Sequence, residues 1–262
     1  VNYNPYAAPQ APATPPPPPS GFGPPQPWTT SDALRVAWER FKVHGGILIL
    51  AHFTYTALVV VLGQVANVPV WLHVVDINTP AYFGVLGGGT VFTQVLAAFF
   101  NVGLTRMWLD VARGVPPKFE TLFSGGDRFL PMLGLNIVFG IAVAVGCVLF
   151  IVPGVLMMLT YQFAPYYVVE GRMGPIEALQ KSWEVSAGQR LEVLVLVLAG
   201  VGLSLLGIVM CCLGWLVTVP IYWVATAVAF TRVAGMSVAP IVPPGPVQLP
   251  YPGPPHNLPP WQ

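Results

Sequence analysis

Residues 129–169 read FLPMLGLNIVFGIAVAVGCVLFIVPGVLMMLTYQFAPYYVV, 41 consecutive residues without Lys, Arg, Asp or Glu. A bilayer core takes about 20 helical residues, so the stretch is twice the length of one span. At its centre stands IVPG (151–154), and Pro153 with Gly154 suits a tight turn between two helices. The reading is therefore two spans back to back. A second uncharged run, 193–231, has CCLG (211–214) near its middle and reads the same way. Backbone groups in lipid must be satisfied within the segment, and these runs are too long for barrel strands, so helices are the expected form.

Two more spans lie upstream, at about 45–66 and 85–108, joined by a longer connection that contains Asp76. The expected fold is an all-α integral membrane protein with six transmembrane helices arranged as three hairpins: 45–66, 85–108, 129–150, 152–169, 193–211 and 213–231. Composition agrees. The chain is 55% hydrophobic and 8% charged, against about 25% charged in soluble domains.

Proline divides the chain. Residues 1–30 hold 11 prolines and residues 240–262 hold 10, leaving 9 of the 30 for everything between. Neither of these two arms contains Lys or Arg. Proline-dense runs favour polyproline II and bury too little apolar surface to fold. The expected organisation is a disordered arm (1–30), a membrane domain (31–239) and a second disordered arm (240–262). The first residues show neither a basic region nor an apolar core of a signal peptide.

The 11 basic residues are placed one-sidedly. Arg35, Arg40, Lys42, Arg106, Arg113, Lys118, Arg128, Arg172, Lys181, Arg190 and Arg232 fall before the first span, between hairpins or after the last. None falls in a hairpin turn, and Asp76 is the one charge on the opposite side. The positive-inside rule then puts both termini and both inter-hairpin segments in the cytoplasm. The expected location is a bacterial inner membrane.

A short pattern recurs ahead of the spans. Residues 32–39 read DALRVAWE and residues 177–184 read EALQKSWE, with a weaker copy at Glu120–Thr121–Leu122. Asp32, Leu34, Trp38 and Glu39 correspond to Glu177, Leu179, Trp183 and Glu184. Leu34, Ala37, Trp38 and Phe41 follow helical spacing, as do Leu179, Ser182, Trp183 and Ser186. These segments are too short and too charged to span. They predict amphipathic helices lying in the headgroup layer, one before each hairpin, with Lys and Arg reaching outward. The chain then reads as an internal threefold repeat.

The run APYYVVEGRMGPIEALQKSWEVSAGQR (164–190), with IVPG upstream, resembles a group of bacterial multi-span membrane proteins. That group includes the membrane domain attached to some glycerophosphodiester phosphodiesterases. The resemblance covers roughly 120–232. It implies a helical inner-membrane protein and brings no catalytic residues with it. No phosphodiesterase domain is present here, so that activity is not implied.

Chemistry-bearing residues are sparse. The histidines are His44, His52, His73 and His256, and His52 alone lies within a span. Pairing it with Ser204 for intramembrane hydrolysis has no support, because Ser204 sits in VGLSLLG, a small-residue packing face. No cluster of His, Cys or carboxylates has metal-ligand spacing, and LGGGT (86–90) lacks the lysine of a phosphate loop. The expectation is a non-enzyme without cofactor or metal and without a nucleic-acid partner. Cys147, Cys211 and Cys212 lie near the two uncharged turns, where an oxidising compartment would allow a disulfide; as packing residues they need none. Polar residues at membrane depth are Gln94, Asn101, Asn136 and Gln162, which either line a path or bond neighbouring helices. Arg106 and Asp110, four apart, read as an interfacial ion pair.

Two functions from different classes follow. One is a non-catalytic membrane protein that organises lipids or protein partners at the cytoplasmic face, with the proline-rich arms docking in aromatic grooves. The other is a small transporter or channel with an Asn/Gln-lined bundle. Neither the partner nor the oligomeric state is legible.

Overall fold

The structure, a computed structural model, describes residues 22–23, 25–65, 68–72, 74, 76, 78–149, 157, 159, 161–209, 213–236 and 238. Its elements are α1 (Thr30–Val65), α2 (Val68–Trp71), α3 (Pro80–Ala112), two 3-10 turns (Phe119–Phe123 and Gly125–Asp127), α4 (Phe129–Leu149), α5 (Ala164–Glu170), α6 (Pro175–Ala187), α7 (Arg190–Val209) and α8 (Leu213–Val233). Among the described residues the chain is all-helical. Five helices (α1, α3, α4, α7 and α8) are long and apolar enough to cross a membrane. Of the fourth expected span, 152–169, the structure describes residues 157, 159 and 161–169; the remainder, and the cysteine pairing, lie outside the described residues.

Helix α8 is the hub. Val224 to Phe230 of α8 are all fully buried, as expected of a helix that is apolar on every side. It packs on α1, α3 and α7, and α3 in turn packs on α4 and α5. Aromatic contacts join α8 to α5: Phe230 stacks on Tyr166 (5.1 Å) and meets Tyr167 edge-on (4.9 Å). Close packing between helices needs small side chains. Gly200 of α7 lies against the Tyr222 ring, where any Cβ would collide with it.

The three motif copies adopt three different forms. The first does not end before its span: α1 runs without interruption for 36 residues, about 54 Å. That exceeds the ~45 Å of a whole bilayer. No proline interrupts residues 30–65, and Gly45 leaves room for the Phe41 ring of the preceding turn. Ala33, Val36, Ala37 and Phe41 are buried by protein rather than laid on lipid, while Trp38 is about half exposed. The middle copy is a 3-10 turn, because Ser124–Gly125–Gly126 cannot sustain an α-helix. Only the third, α6, is a separate amphipathic helix, started by Pro175 at its first turn and ended at Gly188. Its inner stripe is Ala178, Ser182 and Ser186, with Trp183 turned outward.

The first arm also differs from expectation. The disordered arm was expected to reach residue 30, yet residues 22–23 and 25–29 contribute a strap that packs on the bundle. Trp28 is buried and meets Phe163 edge-on at 6.4 Å, and Phe22 meets Tyr167 at 5.4 Å. The Gly23 amide donates to the Ala234 carbonyl (2.9 Å) and the Gln26 amide to the Arg232 carbonyl (3.0 Å). Proline density does not prevent this, since Gly23 and Gln26 keep the amide hydrogens that Pro25 and Pro27 lack.

Candidate functional site

Two regions carry what chemistry the chain offers. The first is the end of the bundle where the basic residues gather. There α3 finishes in a Schellman motif: Gly114 takes φ +78°, the Val115 amide donates to the Asp110 carbonyl (2.8 Å) and the Gly114 amide to the Val111 carbonyl (3.0 Å). This reverses the chain and carries the 3-10 turns back along α3. Contact is close enough that a Cβ on Gly103 would run into the Leu122 carbonyl, and one on Gly125 into the Phe99 carbonyl.

Arg106 locks that turn. Its guanidinium donates to the Ser124 carbonyl (2.5 Å), to the Ser124 hydroxyl (3.0 Å) and to both Asp127 oxygens (2.7 Å each). The expected partner was Asp110. The turn's return path brings Asp127 within reach instead, and a fork of donors meets a carboxylate better side-on than along its own helix. Burial is the largest single influence and pushes the Asp127 carboxyl up, but the Arg106 hydrogen bond and charge, with a backbone hydrogen bond and the Arg128 charge, together outweigh it and hold the group below the usual range.

Two further ties complete this end. Arg113 pairs with Glu170 at 2.8 Å and also reaches the Met236 sulfur at 3.2 Å, linking the ends of α3 and α5 to the chain after α8. Glu192, in the first turn of α7, accepts from the Thr30 amide (2.8 Å) and hydroxyl (2.9 Å) at the start of α1. A carboxylate at a helix N-terminus is favoured by the unpaired amides and the dipole there. The strap and the end of α8 meet at Gly23 and Gly235, the latter at φ +67°, with no room for a Cβ on either. Both proline-rich arms therefore leave the bundle from one place. The matched motif residues do not converge: Asp32 pairs with Arg35, Glu39 with Lys42 and Glu184 with Lys181, each within its own helix. Trp183 lies under Arg190, whose guanidinium carbon is 5.2 Å from the ring centroid. Glu177 and Leu179 stay on α6, exposed and half-buried, and Leu34 packs at the edge of the core.

The second region is a cavity of about 320 Å³ inside the bundle. Helix α1 supplies His52 and Tyr55, α3 supplies Asn101, Thr105 and Trp108, and α8 supplies Trp215, Val219 and Trp223. Tyr161, from the chain leading into α5, and Tyr166 of α5 close it. Trp108 and Trp223 are nearly parallel, 7° apart with centroids at 5.1 Å, and His52 meets Trp215 edge-on at 5.3 Å. Among the described residues, no Asp, Glu, Lys or Arg lines it.

The polar residues singled out from sequence separate here. Gln162 accepts from the Tyr222 hydroxyl at 2.7 Å and Asn136 from the Tyr161 hydroxyl at 2.9 Å, so both serve as ties between neighbouring segments. Gln94 lies on the exposed side of α3. Asn101 alone lines the cavity, beside Tyr55. Ser204 donates to the Gly200 carbonyl of its own helix (2.8 Å), away from any role with His52. The aromatic lining was missed as a group. Its signal was present in the spacing: Trp215, Val219 and Trp223 recur every fourth residue, and Asn101, Thr105 and Trp108 share one face of α3.

Described residues that are all-helical, with five apolar helices of bilayer length among them, define a helical membrane protein. It is similar to an uncharacterized protein of Mycobacterium tuberculosis and to one of Mycobacterium bovis, each 27% identical over 270 aligned positions that cover 91% of this chain and 79% of the relative. No protein-family model and no solved structure matches it.

Proposed function

We propose that the chain is a non-catalytic, six-span membrane protein of the bacterial inner membrane. Its spans form three hairpins, both termini are cytoplasmic, and its work is to organise protein partners at the cytoplasmic face. The observation that carries this reading is the strap: the Gly23–Ala234 and Gln26–Arg232 hydrogen bonds bring both proline-rich arms to one anchor. Two weak docking segments sharing an anchor raise each other's effective concentration, so a partner with two aromatic grooves gains avidity without any stronger single contact. The one-sided placement of all 11 basic residues supports the cytoplasmic assignment. The Asn/Gln-lined path of a transporter has less support, since Asn136 and Gln162 are occupied by tyrosine hydroxyls.

Native mass spectrometry of the full chain and of residues 22–238, gently extracted, tests the reading. Loss of bound protein partners on removing both arms is the expected result, with weaker retention when either arm remains. Partners held equally by the truncated chain would overturn it.

A further inference from the structure

We propose that the intrabundle cavity around His52 is a binding site for an uncharged, flat, largely apolar molecule carrying a hydroxyl or carbonyl group. This goes beyond the partner-organising reading and stands on different residues.

His52 is the starting point. It is 4% exposed, and neither ring nitrogen has a hydrogen-bond partner among the described residues. An imidazole offers one donor and one acceptor when neutral. Leaving both unused in a buried site costs far more than placing an aliphatic residue there. The tyrosine hydroxyls of the cavity are already engaged: Tyr161 donates to Asn136, Tyr166 donates to the Trp223 carbonyl (2.9 Å), and Tyr55 bonds Asn101. Among the lining residues, His52 is the one with buried polar atoms that lack a partner within the described residues.

The remaining walls specify the body of the ligand. The parallel Trp108 and Trp223 rings and the Trp215 ring offer faces and edges suited to another flat ring. With no ionised side chain among the described lining residues, a charged ligand would lose its hydration without gaining a counter-charge. A cavity of about 320 Å³ matches the lower range of small-molecule sites, and an unfilled one forfeits packing on every wall.

The test uses the full-length protein in phosphatidylcholine nanodiscs and two probes, 1-naphthol and naphthalene, which share a flat body and differ by one hydroxyl. Equilibrium dialysis against empty nanodiscs removes simple partition. The expected result is saturable binding of one 1-naphthol per chain, about tenfold tighter than naphthalene, the equivalent of one hydrogen bond. In His52→Leu the preference falls to within about threefold, while His52→Gln, which keeps a donor and an acceptor, retains most of it. Binding of the wild-type protein that merely follows partition overturns the proposal without reference to any variant. So does an undiminished preference in a His52→Leu protein that remains monodisperse.

Discussion

Replacing Trp28 with Ala should release the strap without unfolding the bundle. Trp28 is 5% exposed and packs on Phe163, and truncating a buried aromatic to Ala removes about 3–5 kcal/mol. What else holds the strap is modest: two backbone hydrogen bonds and the exposed edge of Phe22 on Tyr167. A loss of about 3 kcal/mol multiplies the detached population roughly a hundredfold. Hydrogen exchange by mass spectrometry reads this directly. Pro24, Pro25 and Pro27 carry no amide hydrogen, so a peptide over residues 22–29 reports few sites, with Gly23 and Gln26 prominent among them. Their protection should fall about a hundredfold while that of α8 holds, because local opening is independent of global stability. Unchanged exchange over 22–29 would refute the reasoning. Loss of protection throughout α8 would show instead that Trp28 supports the core.

Three other changes report on other contacts. Arg106→Met should destabilise the 119–127 turn by about 1–2 kcal/mol, the worth of a forked, partly exposed ion pair with a part-buried carbonyl bond, visible as faster exchange of the Ser124 and Arg128 amides. The same pair predicts acid sensitivity. Asp127 is held below its ordinary value, so its contribution is complete above the unfolded carboxylate range and is lost as pH falls through the lowered folded value; protection of the turn should decline in acid in the wild type and show no such decline in Arg106→Met. Gly103→Ala should cost about 1–3 kcal/mol in denaturant or thermal melts, since its Cβ has only the Leu122 and Thr121 carbonyls to displace. Tyr222→Phe should cost about 0.6–1 kcal/mol by leaving Gln162 without its partner.

The helical class was legible because uncharged runs of 39 and 41 residues admit few other forms. The ends of α6 were legible because Pro175 and Gly188 punctuate it. The continuity of α1 was not, because Gly45 and Gly46 look like a boundary while imposing none. Phe41 uses the space that Gly45 leaves, a relation between side chains one turn apart that composition cannot express. The Arg106 partner was misread for a related reason: helical spacing favoured Asp110, and only the Gly114 reversal makes Asp127 the nearer carboxylate. The cavity depends on five separate stretches of chain converging, so sequence could present its aromatic faces singly but not assembled.

The strap also decides how the chain bears load. A partner that drags on both arms applies tension across Gly23–Ala234 and Gln26–Arg232, two hydrogen bonds at the surface of the bundle. These would part in succession, like a seam, before force reached α1 or α8. The anchor thus behaves as a mechanical fuse, letting out several residues of slack while the spans stay seated in the bilayer.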